Sequence, residues 1–167
     1  NAGFQSYCRS RNSGNDFLIF FTSPSRVTLN VQDINHNFDL YTPIVPGVRQ
    51  HICAWFSSTE HRFGLYLNGV DQGSSRYRGP AVPGGGTLVI GQEQDGPNLG
   101  NLDRTQAWSG KVTNFMIWPR KLNETEIFDI AHDCRCPRDY AVALTGDKVE
   151  LGGQARYVPT NECPMLK

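Results

Sequence analysis

The sequence predicts an all-β fold: a two-sheet antiparallel sandwich with one helix packed on one face. Three observations predict it. Short apolar or alternating runs recur along the chain, separated by turn formers supplied by 17 glycines and 10 prolines. A single segment, late in the chain, carries helical periodicity. No strand–helix–strand alternation occurs, which excludes a doubly wound parallel sheet.

Phe17-Leu18-Ile19-Phe20-Phe21 is a short apolar run after a stretch rich in Ser, Gly and Asn. From Val27 to Val31 the pattern alternates with period two, placing Val27, Leu29 and Val31 on one face. His51 to Phe56 reads as a third strand. Phe63, Leu65 and Leu67 alternate in a fourth, which runs into Asn68-Gly69. That dipeptide is a strong hairpin signal, because both central positions of a type I′ turn need positive φ. Gly84-Gly85-Gly86 is a flexible corner; no Lys-Ser/Thr follows, so it is not a phosphate loop. Thr87 to Ile90 is a fifth strand. Val112 to Trp118, apolar on both faces, is expected to be a sixth, central one. The helix is expected from Glu124 to His132. Asn123 and Glu126 form a capping box at its start, and Ile127, Phe128, Ile130 and Ala131 share its apolar face.

The 167 residues amount to one domain, and 38% apolar with 19% charged residues is enough for a folded core. Formal net charge is zero, so nothing global points to nucleic acid or an anionic membrane. No apolar run is long enough to span a bilayer. The chain begins at Asn1 without Met, so it is expected to be a processed or excised piece of a longer chain. Five cysteines (Cys8, Cys53, Cys134, Cys136 and Cys163) leave one over, which implies a free thiol or a partner outside the chain. Cys134-Arg135-Cys136 lacks the two-residue gap of a zinc knuckle, and disulfides are favoured over metal–thiolate chemistry. Asn123-Glu124-Thr125 is a glycosylation acceptor, which suits an extracellular chain.

The densest polar group is Gly91-Gln92-Glu93-Gln94-Asp95, directly after the fifth strand. Glu93 and Asp95 lie two apart, so an extended backbone would point both carboxylates the same way. Asp103 and Gln106 return at the far end of the same loop. Carboxylates crowded together are costly unless a cation neutralises them, and calcium accepts carboxylate, amide and carbonyl oxygens in loose geometry. The plain alternative is a solvated acidic loop. A glycoside hydrolase with an E-x-D-x-E strand is a further possibility for a sandwich fold. Here, however, position 97 is Pro where that strand needs Glu, so no enzyme is expected.

Gly91-Gln92-Glu93-Gln94-Asp95 resembles the GQEQD signature of the pentraxins. His51-Ile52-Cys53-Ala54-Trp55 is similar to their H-x-C strand. Leu102-Asp103-Arg104-Thr105-Gln106-Ala107 and the Phe115–Leu122 stretch resemble segments of neuronal and arthropod pentraxins. The likeness covers the chain from about Phe4 to Cys163. It implies a lectin-like, laminin-G-like jelly roll over residues 1–167, with the family's first N-terminal strands missing. It also implies calcium held by Asn15, Glu93, the Gln94 carbonyl, Asp95, Asp103 and Gln106. The family's Asp-Asn pair stands here as Gly14-Asn15, with Asp16 as the one substitute for the lost carboxylate. The likeness pairs Cys134 with Cys163, with Cys136 as an alternative partner for Cys163. Cys8 and Cys136 pair with each other or with another chain, and Cys53 has no partner. A glycan is expected on Asn123. The implied function is a calcium-dependent extracellular binding or adhesion module, secreted or part of an ectodomain. Its partner would be an extracellular protein, a glycan or an anionic ligand, and a homo-oligomer is implied. The alternative is a module without a working calcium site, acting through protein contacts in a larger receptor or matrix protein.

Overall fold

The computed structural model describes residues 2–9, 15–144 and 149–158. The chain divides into two compact units, residues 1–110 and 111–167.

The first unit holds eight strands: β1 (Ala2–Cys8), β2 (Phe17–Ser23), β3 (Arg26–Val31), β4 (Ile34–Asp39), β5 (Ile52–Ser57), β6 (Arg62–Leu67), β7 (Val70–Arg76) and β8 (Thr87–Ile90). They form a five-stranded sheet ordered β4-β3-β2-β1-β8 and a three-stranded sheet ordered β5-β6-β7. Every pairing in both sheets is antiparallel. Alternation drives the packing. Ile19, Phe21, Val27, Leu29, Val31 and Phe38 from the first sheet bury against Phe63, Leu65 and Leu67 from the second. The β6 strand is covered on both faces, because Tyr66 is buried as well as the inward-facing residues. Rings bind the layers together: Phe63 meets Phe38 at 6.3 Å and Tyr77 at 6.1 Å, edge to face. The predicted hairpin forms, with Asn68 at φ +52° and Gly69 at φ +77°.

The second unit contains a two-stranded ladder of β9 (Met116–Ile117) with β10 (Val142–Ala143), and helix α1 (Glu124–Asp133). The capping box is present: Asn123 Oδ1 accepts from the Glu126 amide, and Glu126 returns a carboxylate oxygen to the Asn123 amide. Arg120 grips Glu126 with two nitrogens and also reaches Asp139 at 2.7 Å, which holds both carboxyls below their ordinary values. Ile127, Ile130 and Ala131 are buried, but Phe128 is 52% exposed, contrary to the expected apolar face. It stacks instead on His132 at 4.1 Å.

The expected central strand from Val112 to Trp118 is the main correction. Only Met116–Ile117 is extended and paired, and Val112 is exposed. Asn114 takes φ +52°, a left-handed turn that interrupts the extended run. Strands β1, β4 and β7 form where the sequence pattern carries no clear strand signal. Cys53 and Cys136 carry free thiols, so neither the Cys136–Cys163 nor the Cys8–Cys136 pairing forms within the chain. Burial pushes the Cys53 thiol up to about 11, which keeps it protonated and unreactive at neutral pH. Cys163 lies outside the described residues.

Candidate functional site: an oxygen-rich loop at the end of the five-stranded sheet

Among the described residues, strand β8 pairs with β1, and β1 pairs with β2 on its other side. This order brings the start of β2 beside the end of β8. Asn15 and Asp16 lead into β2, and the loop Gly91–Trp108 leaves β8. Gly91 makes the departing turn at φ +88°, a conformation that favours glycine. At the loop base, the Trp108 amide donates to the Gly91 carbonyl at 2.8 Å, and the Trp108 ring packs on Phe21 at 5.1 Å. Inside the loop, Gly96 and Gly100 form an antiparallel bridge, and the Gly100 amide donates to the Pro97 carbonyl.

Gln94 is 0% exposed and its amide donates to the Thr87 carbonyl at 2.7 Å, pinning the loop to β8. Glu93 is 8% exposed, whereas Asp95 faces solvent. The two carboxylates therefore do not sit side by side on a strand, because residues 91–95 form none. They remain electrostatically coupled. Burial, and then the Asp95 charge, push the Glu93 carboxyl above its ordinary value; Asp103 adds to this and a hydrogen bond from Asn15 opposes it. Asn15 Nδ2 donates to Glu93 Oε1 at 3.4 Å. Asp103 caps a short 3₁₀ turn, Arg104–Gln106, by accepting from the Thr105 amide and hydroxyl, and these bonds hold its carboxyl below the ordinary value. The Gln92 side-chain amide donates to the Asp103 carbonyl. The Gln106 amide donates to the same oxygen at 3.0 Å.

Two buried side-chain oxygens, Asn15 Oδ1 and Gln106 Oε1, have no hydrogen-bond partner among the described residues. Asp16 is turned the other way. It is 2% exposed, and its two oxygens accept from the Arg9 amide at 2.6 Å and the Gln32 side chain at 2.5 Å. It ties the end of β1 to the turn after β3, while Asp33 Oδ1 accepts from the Asn15 amide at 3.1 Å. Gly14 lies outside the described residues.

These features fit a hard cation. Orphaned amide oxygens and an acid made uncomfortable by burial and a neighbouring charge are what a bound cation relieves. Among the described residues no three His, Cys, Asp or Glu side chains are grouped closely enough to hold a metal unaided. A cation here would therefore draw on amide and carbonyl oxygens as well, which calcium, with about six to eight oxygen ligands, accepts.

A two-sheet antiparallel sandwich with a polar loop cluster at one sheet end defines a lectin-like binding domain. Residues 1–128 match the family described as "Concanavalin A-like lectin/glucanases superfamily". The chain belongs to that superfamily, and the relatives it matches are pentraxins. Pentraxin-related protein PTX3 of Mus musculus is 38% identical over 121 residues, 70% of this chain and 32% of that protein. Neuronal pentraxin-2 of Homo sapiens is 30% identical over 119 residues, 70% of this chain and 27% of that protein. The native heptameric SAP-like pentraxin from Limulus polyphemus superposes with a TM-score of 0.69 at 26% identity, covering 80% of this chain and 63% of that one. The chain thus spans about a third or less of the length of these curated relatives.

Proposed function

We propose that the chain is a calcium-dependent extracellular binding module of pentraxin type, and not an enzyme. The observation that supports this best is the pair of buried, partnerless amide oxygens of Asn15 and Gln106 on the loop cluster that carries Glu93, Asp95 and Asp103. Asn15, Glu93, the Gln94 carbonyl, Asp95, Asp103 and Gln106 would hold the ion. Bound calcium would supply a positive centre with open positions for an anionic ligand group. The chain's own part is to fix the oxygens. Gln94 and Trp108 anchor the loop, Thr105 orients Asp103, and Asn15 reaches across to Glu93. Catalysis by the Glu93–Asp95 pair is disfavoured by Pro97 and by the irregular backbone of the segment.

Calorimetry with calcium on the order of 1 mM should give binding heat with the folded chain. The double variant Asp95→Ala plus Asp103→Ala should give none while keeping its circular dichroism. Glu124→Ala and Asp129→Ala on α1 should bind as the parent does. If the parent gives no heat, the second reading takes over: a module working through protein contacts alone. The commitment of Asp16 to the Arg9 amide and the Gln32 side chain favours that reading. A homo-oligomer is the expected assembly, by analogy with the heptameric relative.

Two modifications belong to the extracellular reading. Asn123 is exposed, and while its Oδ1 caps the helix its Nδ2 makes no hydrogen bond among the described residues. A glycan on Nδ2 is compatible with the cap. Chains made by a secretory route should lose mass on glycosidase treatment, and an unchanged mass refutes occupancy. A Cys134–Cys163 disulfide should appear in non-reducing peptide maps, contributing about 3–4 kcal/mol through loop closure. Recovery of Cys163 as a free thiol would remove it.

A further inference from the structure

Asn68-Gly69 is the one Asn-Gly dipeptide in the sequence. The fold requires such a pair, because the turn between β6 and β7 puts both residues at positive φ, +52° and +77°. The same dipeptide is the most open to attack on itself. Glycine carries no Cβ to keep its amide nitrogen away from the preceding side chain, so the Gly69 nitrogen can approach Asn68 Cγ. Asn98 and Asn101 are the internal comparison. Both are exposed and at positive φ, +54° and +57°, but a leucine follows each and hinders the same approach.

Hydrogen bonds to the entrance of β5 decide how freely that approach occurs. The Asn68 backbone amide donates to the His51 carbonyl at 2.8 Å, which carries the β5–β6 ladder one residue further. Asn68 Oδ1 accepts from the His51 amide at 2.8 Å. Asn68 Nδ2 donates to Gln50 Oε1, also at 2.8 Å. The side-chain amide is thereby held at both its oxygen and its nitrogen, by two successive residues. Gln50, His51, Asn68 and Gly69 are all half-buried. Turning Cγ toward the Gly69 nitrogen breaks both side-chain bonds, so the folded turn protects the residue that its own shape demands.

We propose that Asn68 is a site of spontaneous deamidation, and that its bonds to Gln50 and His51 set the rate. The Gly69 nitrogen bonds to Asn68 Cγ, and the Cγ–Nδ2 bond breaks. The leaving amino group takes the proton that the Gly69 nitrogen gives up and departs as ammonia. One water then opens the resulting succinimide at either carbonyl, leaving aspartate or isoaspartate at position 68. No enzyme, oxidant or cation takes part, so the reaction is independent of calcium. Isoaspartate threads an extra carbon through the main chain of a tight turn, adds a negative charge there and removes the Nδ2 donor that Gln50 accepts. β5 stands at one end of the three-stranded sheet order, so the element this loosens is an edge strand.

The test incubates the full chain, folded and in urea, at mildly alkaline pH. Peptide mapping reads the amide-to-acid mass change at each asparagine, and methyl transfer by an isoaspartyl methyltransferase reads isoaspartate independently. In urea, position 68 should convert faster than positions 98 and 101. Folding should slow position 68 at least about tenfold, the combined effect of two net hydrogen bonds. In the folded chain Gln50→Ala should speed it about fivefold, the effect of one such bond, with positions 98 and 101 unchanged. Gln50→Glu keeps an acceptor for Nδ2 and should retain the parent rate. Faster conversion at position 98 or 101 than at 68 in urea overturns the site. Equal rates at position 68 in the folded and unfolded chain, or a parent-like rate in Gln50→Ala, overturn the protective role of the bonds. An equal acceleration of all three positions in Gln50→Ala overturns it as well, since the variant would then act by loosening the whole domain.

Discussion

Replacing Glu93 with Gln should raise the melting temperature of the calcium-free protein at pH 7 and abolish its response to calcium. Both effects come from one side chain. Burial and the Asp95 charge raise the folded-state pKa of Glu93 above its unfolded value. The folded state then binds the proton more tightly than the unfolded state does. Ionisation of Glu93 therefore costs stability above its folded pKa, and that stability is regained as pH falls to the unfolded value. Gln keeps an oxygen for the Asn15 amide and removes the charge, so the apo variant escapes the penalty. Calcium offsets the same penalty in the parent. At a hundredfold excess over Kd it should add about 2.7 kcal/mol, or roughly 5–10 °C for a domain of this size. The variant should show little of that shift. Thermal scans with calcium and with chelator at pH 7 and pH 4.5 decide it. A parent that melts at the same temperature with and without calcium defeats the proposed ion site. An apo variant less stable than the apo parent defeats the account of Glu93.

Phe63→Ala should destabilise the domain severely, by about 3–5 kcal/mol. Phe63 is 1% exposed on the central strand β6, and its ring meets His36, Phe38 and Tyr77 at centroid distances of 5.8, 6.3 and 6.1 Å. Truncation leaves a cavity between the two sheets that neither can close without shifting a whole ladder. Against a typical stability of about 5–15 kcal/mol, this brings the domain near unfolding. Phe128→Ala is the control: its ring is half-exposed, and the change should stay within about 0.5 kcal/mol. Urea midpoints separate the two. A loss below about 1 kcal/mol at position 63 would mean that the sheets do not depend on this contact.

What can be read in the sequence follows burial. Thr87–Ile90, the Asn68-Gly69 hairpin and the Asn123/Glu126 capping box are where the residues place them, because each rests on a local rule. Strands β4 and β7 are hard to read because they are edge strands. Phe38 is the one core apolar residue of β4, and in β7 the buried side chain is Gln72, so neither shows an apolar period. The opposite failure occurs at Val112–Trp118, where an apolar run promises a central strand and the turn at Asn114 breaks it. At the candidate site, the loop from Glu93 to Gln106 is visible as a polar cluster. Its link to Asn15, and the inward turn of Asp16, depend on sheet order, which no local pattern encodes. The hold on Asn68 is invisible in the sequence for the same reason. Gln50 is 18 positions from Asn68, and only the β5–β6 ladder makes them neighbours.

The position of β1 between β2 and β8 bears on how the domain assembles in time. Asn15 and Glu93 are 78 positions apart, and the sheet joins them only through β1. A chain emerging during synthesis can close the β2–β3–β4 and β5–β6–β7 meanders locally and early. Its oxygen cluster cannot exist until β8 has been made and has found the far side of β1. That long-range closure is the slow kind of step, because the entropy of a large loop is lost before any contact rewards it. A cation held at the loop therefore recognises only the completed sheet. It should lengthen the lifetime of the native state while leaving the folding rate almost unchanged.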